Sequence, residues 1–365
     1  MTPPSLTVRR AHPGDAAAIV TALHRSEGAS HFAHWMYQPD LVARALHSGH
    51  IRSWVAVEPG GEVRAHAALI TGNSTSGSDP AADAGPDTDG RAGAGAGPVL
   101  EYGLAFTDPD FRGRGLALQL GAHALAWAQQ HHVGDVYSWT TTLRPFAQQG
   151  LRDAGAVEIC LLLAMMPPGI NRGFRHDIDQ AAAAMLFVLP AGRSGNPRTW
   201  HVPAEVQRTT ALLAEPLGIT VTASSAPTGR VAGPAPNRSS AGSAEAGIAW
   251  SFFEPLRFGV IDLAAAPEAT VAQVIRRTLA LAQAGADVTY LDLSPESPEA
   301  MRMLPTLARH GFTYAGIHPD YGTGELRLRL QAVTCQLQPK ATITTASERG
   351  RLLLDQVWAG LPQDA

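Results

Sequence analysis

Lysine is nearly absent from this chain of 365 residues: Lys340 is the only one, and arginine supplies the rest of the positive charge. Cysteine is scarce too. Cys160 and Cys335 each lie in an apolar, strand-like stretch, which predicts two buried thiols rather than a disulfide-stapled scaffold. A strong charge of one sign is also missing. The formal net charge of −4 leaves no electrostatic footprint for nucleic acid or an anionic membrane. No apolar run approaches the roughly 20 residues that a membrane-spanning helix needs. The first residues hold no basic segment leading into an apolar run, so no secretory signal is expected and the cytoplasm is the expected compartment. His31 and His34 are three apart, and His131 and His132 are adjacent. Neither pair has a third ligand at metal spacing, so no metal site is expected.

What is present is an ordinary globular apolar fraction of 45% and a length that favours two domains. In the first half, residues 6–11 alternate as a strand. The turn His12-Pro13-Gly14-Asp15 offers Asp15 as an N-cap for an alanine-rich helix. A helix over 39–48 and strands over 54–57 and 63–69 follow, joined by the turn at 58–62. Residues 72–98 are Gly, Ala, Ser, Asp and Pro with almost no large apolar side chain. Such a stretch cannot bury enough surface to order itself and predicts a flexible insertion. Then come a strand (99–106), a helix (115–130), a strand (135–141), a helix (145–153) and a strand (157–166). The order β-α-α-β-β-β-α-β-α-β predicts a mixed α/β layer with helices on both faces, a domain of residues 1–168.

A second unit is expected over 169–335. It has strand pieces at 184–189 and 199–202, a helix at 204–213 and a low-complexity linker at 223–247. The pattern β-α-β-α-β-β then runs from 248 to 333. A tail over 336–365 has weak helical character near 349–358.

The chemistry concentrates in Phe111-Arg112-Gly113-Arg114-Gly115-Leu116-Ala117, between a strand and a helix. Glycines there let backbone approach a ligand and permit positive φ. The first N–H groups of a helix have no internal acceptors, and the helix dipole adds positive charge, so a diphosphate fits. Arg112 and Arg114 can add ion pairs. No Lys-Ser/Thr follows the glycines, which excludes a P-loop. The dinucleotide fingerprint, which opens a βαβ unit with a downstream ribose-binding acid, does not fit either. An ordinary strand-to-helix turn with solvated arginines remains the alternative.

The wider segment from Leu104 to Ala117 resembles motif A of the GNAT superfamily of N-acetyltransferases, whose core is Arg/Gln-x-x-Gly-x-Gly/Ala. Here that core is Arg112, Gly115 and Ala117. Val8 to Asp15 also resembles the family's first strand and helix start. The resemblance covers about residues 6–167 and implies an α/β GNAT fold. It implies acetyl-CoA or another acyl-CoA as donor, with the pyrophosphate on Arg112, Gly113, Arg114, Gly115, Leu116 and Ala117. The pantetheine arm would lie along Leu104, Ala105, Phe106 and Thr107, and the Phe106 N–H would polarise the acyl carbonyl. The implied activity is N-acyl transfer to a small-molecule amine, with a second copy of the chain as an optional partner and neither nucleic acid nor membrane involved. Glu101 lies on the strand that leads into the loop, on one face with Gly103 and Ala105 if alternation holds. It is the candidate base, because many family members place a glutamate there.

Two departures limit the resemblance. Leu151 stands where a tyrosine acid is common, and Arg144 where an asparagine is common. Arg144-Pro145-Phe146-Ala147-Gln148 instead resembles a His-Pro-x-Ser/Thr-Gln variant found in two-part members of the family. The second half resembles a degenerate GNAT-like domain in a tandem arrangement. It has no Arg-x-x-Gly-x-Gly loop, which implies that it does not bind CoA. A non-catalytic acyl-CoA sensor or scaffold, and transfer from a carrier-bound acyl group, stay open at this level.

Overall fold

The computed structural model describes residues 5–71, 99–131, 133–143, 145–168, 180–190, 198–223, 248–263, 270–321 and 323–362. The insertion at 72–98, nearly all of the linker at 223–247, and Arg144 lie outside them.

Strand β1 (Thr7–Arg10) leads through a tight turn into α1 (Ala16–Glu27). Asp15 does not cap α1 with its side chain. Its carboxylate holds Arg9 at 2.7 and 2.8 Å and the His12 N–H at 2.9 Å, because a 3-10 turn precedes the helix and takes the carboxylate first. Helix α2 (Pro39–His47) opens on a proline, where the missing N–H costs nothing. The hairpin β2 (Ile51–Val57) and β3 (Val63–Thr71) follows, then β4 (Leu100–Thr107), α3 (Leu116–Gln130), β5 (Val136–Thr141), α4 (Pro145–Asp153) and β6 (Val157–Met166). The chain continues with β7 (Ala182–Leu189), β8 (Arg198–Val202), α5 (Ala204–Ala214), β9 (Ile219–Ala223), β10 (Ala249–Phe253) and β11 (Phe258–Asp262). It ends with α6 (Val271–Gln283), β12 (Val288–Leu293), α7 (Pro298–Arg309), β13 (Thr313–Pro319), β14 (Leu326–Val333) and α8 (Glu348–Ala359).

Twelve strands form one sheet in the order β1-β2-β3-β4-β5-β7-β6-β13-β14-β12-β11-β10, while β8 and β9 form a separate parallel pair. Strand β7, which a boundary at residue 168 assigns to the second half, enters between β5 and β6. The run β3-β4-β5-β7-β6 recurs as β10-β11-β12-β14-β13. Both runs have the same sequence of senses, antiparallel, parallel, antiparallel, antiparallel. This is a mixed α/β fold with two like halves meeting edge to edge at β6 and β13.

The seam is narrow in backbone terms, since a single register pair, Gly316 with Cys160, joins β6 to β13. Side chains complete it. Gln331 accepts from the Leu163 N–H at 2.8 Å and donates to the Leu161 carbonyl at 3.1 Å. The Tyr290 hydroxyl donates to the Leu163 carbonyl at 2.8 Å. Buried backbone groups of β6 are thereby satisfied across the seam. One apolar core runs through both halves around β6, β7, β12 and β13.

In the first half, α1 and α2 cover one face of the sheet and α3 the other. The tail is tied down. Leu353, Leu354 and Val357 of α8 are buried. The buried Gln148 amide donates to the Thr344 carbonyl at 3.0 Å, and its oxygen accepts from the Ala346 N–H at 3.1 Å. Both cysteines are free, and Cys160 is fully buried. Among the described residues no helix is long and apolar enough to cross a membrane.

Candidate active site

The ladder between the parallel strands β4 and β5 stops after two pairs, Leu100 with Val136 and Glu101 with Tyr137. Both strands run on, to Thr107 and Thr141, so a wedge opens between them toward the N-terminus of α3. The equivalent parallel pair of the second half, β11 and β12, stays joined over five pairs, from Phe258 with Val288 to Asp262 with Asp292. Asp292 is further clamped by two hydrogen bonds from Arg329, at 2.6 and 2.7 Å.

Strand β4 also carries a β-bulge. His66 faces Phe106 and Ala68 faces Gly103, so Leu104 and Ala105 together oppose Ala67. Leu104 has φ +50, unusual for a residue with a side chain. Leu104 and Phe106 both pack into the α1–α2 layer. The expected shared face of Glu101, Gly103 and Ala105 is therefore interrupted. Ala105 is turned to the other side and is exposed. The leucine carries no sequence signal for this conformation, which is why alternation failed here.

The loop beyond β4 is fixed by its flanks. Asp108 is buried and accepts from the Asp110 N–H at 3.1 Å and from Arg64 at 3.0 Å. Phe111 is buried, with the guanidinium groups of Arg64 and Arg114 over its ring at 4.8 and 4.5 Å. Gly113 and Gly115 have φ +77 and +72, which only glycine adopts without strain. Gly115 is the N-cap of α3. Nothing lies within 4 Å of where a Cβ would stand on either glycine, so the backbone here is open to approach. Arg112 donates to the Thr107 carbonyl at 3.3 Å and to the Ser26 carbonyl at 3.3 Å, tying the loop to α1. Leu116 is buried, whereas Ala117 and Leu118 are exposed. Phe146 of α4 is 80% exposed, and Gly150 of the same helix packs against Leu118 of α3. Tyr102, on the strand beneath, is pushed by burial up to about 12 and sits under Gly121 of α3.

Glu101 is the buried carboxylate at the closed end of the wedge, 1% exposed. Its Oε1 accepts from Trp139 Nε1 at 3.0 Å. Phe32, between α1 and α2, lies 5.3 Å from the Trp139 ring. Tyr321, from the second half, packs 6.3 Å from Tyr137. Burial raises the Tyr321 phenol well above the ordinary range, and the Glu101 carboxylate adds to the shift. Two further buried groups, Ser53 and His66, stand beside the bulge. Burial pushes the His66 imidazole down to about 4, against the pull of the Leu104 carbonyl.

Leu104–Thr107 and Gly113–Ala117 thus border one wedge with Glu101 at its floor. Sequence reasoning missed Trp139, His66, Ser53 and Tyr321. Trp139 reads as an ordinary core residue, and the others meet the site only through strand pairing or the seam. Leu151 is buried in the core and offers no proton.

Residues 18–150 match the model of the acetyltransferase (GNAT) family. No curated protein matches the chain. Solved structures resemble about half of it. The ribosomal-protein-S18-alanine N-acetyltransferase from Escherichia coli is 14% identical, covering 53% of this chain and 97% of its own, with a TM-score of 0.37. A GNAT superfamily phosphinothricin acetyltransferase from Sinorhizobium meliloti, in complex with AcCoA, is 15% identical, covering 53% and 92%, with a TM-score of 0.37. The spermidine/spermine N-acetyltransferase from Vibrio cholerae is 15% identical, covering 51% and 94%, with a TM-score of 0.36. At such scores these likenesses add nothing to the strand order described above.

Proposed function

We propose, from the match of residues 18–150 to the GNAT acetyltransferase family model, that the chain is an acyl-CoA-dependent N-acyltransferase acting on a primary amine of a small metabolite. The observation that carries this reading is the open wedge between β4 and β5, which ends at the glycine loop opening α3.

The residues suit the donor. A diphosphate is satisfied by free N–H groups at a helix start and by the dipole behind them. The left-handed Gly113 and Gly115 present that backbone with open space in front. The exposed Ala105, Ala117, Leu118 and Phe146 offer apolar cover for a pantetheine arm lying along Leu104–Thr107. The amine nitrogen attacks the thioester carbon, the C–S bond breaks, and the sulfur leaves as thiolate. Ala105 donates its N–H to the carbonyl oxygen as charge builds there, in place of Phe106, whose N–H turns to the facing strand where it pairs with His66. Glu101 takes the proton from the amine, directly or through one water. Trp139 Nε1 donates to Glu101 Oε1 at 3.0 Å and orients the carboxylate. With Leu151 in the core, solvent returns a proton to the thiolate.

We assign the first domain to the sheet from β1 to β6, including β7. The second half is a degenerate GNAT-like domain that does not take CoA, because β11 and β12 are zipped where β4 and β5 part. Tyr321 reaches the Glu101 end of the wedge from that half, which suits a wall of the acceptor pocket. Thiol release from acetyl-CoA over a panel of primary amines tests the activity. Turnover with at least one amine is expected. Acetyl-CoA binding without turnover on any amine would replace the enzyme with a sensor.

A further inference from the structure

The bulge that shapes the wedge is not held by the strand ladder alone. At Leu104 the ladder skips a residue, and the Leu104 carbonyl accepts instead from a side chain, His66 Nδ1, at 2.8 Å. The other ring nitrogen, Nε2, lies 3.0 Å from the Ser53 hydroxyl. A carbonyl only accepts, so Nδ1 carries the proton. Nε2 then presents its lone pair, and Ser53 donates to it. Both side chains are sealed from solvent, at 0% exposure for Ser53 and 1% for His66. The same imidazole stacks on the Phe106 ring at 5.0 Å with a 21° tilt. One side chain therefore grips both ends of the segment Leu104–Phe106, by a hydrogen bond at one end and by ring contact at the other.

We propose that His66, oriented by Ser53, is a positioning residue for acyl transfer: it locks the β4 bulge and so aims the Ala105 N–H group into the wedge. This rests on the acyl-transfer reading above. A bulge is one extra residue, and it relaxes by moving that residue along the strand. Such a slip in β4 would carry Phe106 off its present face and turn the Ala105 N–H away from the wedge. A lock that is buried, uncharged and tautomer-fixed resists that slip without contacting the donor or the amine.

Three variants and two readouts test it. His66→Phe keeps the ring packing but has no donor. It is expected to lower kcat at saturating acetyl-CoA about 30- to 100-fold, the scale of a mis-set donor, and to move the acetyl-CoA dissociation constant less than about 3-fold. His66→Asn, whose amide nitrogen stands close to the Nδ1 position, is expected to recover kcat to within about 5-fold of wild type. Ser53→Ala frees the tautomer and should cost roughly 5-fold. The second readout is amide exchange at Ala105 and Phe106, expected to quicken in His66→Phe and return in His66→Asn. Exchange needs no turnover, so it tests the lock even if the acyl-transfer reading fails, and wild-type turnover over the amine panel reports on that reading separately. Wild-type kcat in His66→Phe, or equal losses in His66→Phe and His66→Asn, would overturn the assignment. So would unchanged exchange at Ala105 and Phe106.

Discussion

Glu101→Gln is expected to lower kcat for amine acetylation by about 10²- to 10⁴-fold, the range of a lost general base. It should change the acetyl-CoA dissociation constant by less than about 3-fold. The substitution is informative because glutamine keeps an oxygen for Trp139 Nε1, which now sits 3.0 Å from Glu101 Oε1, and keeps the volume of a side chain that is 1% exposed. What it removes is the ability to accept a proton. The donor lies against the loop and the outer part of β4, away from the closed end where Glu101 pairs with Tyr137, so donor affinity should hold. Steady-state rates with the best amine of the panel, together with calorimetric titration of acetyl-CoA, read both quantities. A variant with wild-type kcat would remove Glu101 from the mechanism.

Gly316→Ala is expected to cost several kcal/mol and lower the melting temperature by about 10 °C or more, or to prevent folding. Gly316 has φ +136, outside the range that residues with a Cβ occupy without strain, at about 1–3 kcal/mol. A Cβ there would stand 2.3 Å from the Ile159 carbonyl oxygen and 2.6 Å from the Cys160 Cα. These are backbone atoms of the facing strand and cannot rotate away. The glycine is also the one register point between β6 and β13, so the strain falls on the join between the halves. A melting temperature within about 2 °C of wild type would mean that the seam gives easily and that the halves are not one cooperative sheet.

Local patterns made most of the elements legible. The apolar run at 157–166 and the Pro145 start are strong signals, and β6 and α4 occupy those residues. The phosphate loop was legible because glycine spacing and a helix start are local. What sequence left out depends on distant pairing. Strand β9, Ile219–Ala223, is short and pairs only with β8 across a helix, so no run of apolar residues marks it. The insertion of β7 between β5 and β6 is set by crossover topology and not by its own composition. Leu104 gives no hint of positive φ, since the bulge is held by His66 from the next strand. The weak helix expected in the tail is α8, firm because Leu353, Leu354 and Val357 pack on the sheet and Gln148 grips the chain before it.

Calorimetric titration of the whole chain with acetyl-CoA tests the central claim most directly, because the open wedge of the first half and the zipped strands of the second make opposite demands. One molecule bound per chain is expected, with affinity lost in Gly115→Val, which a left-handed N-cap does not tolerate. No binding to the wild type, or two molecules per chain, would contradict it.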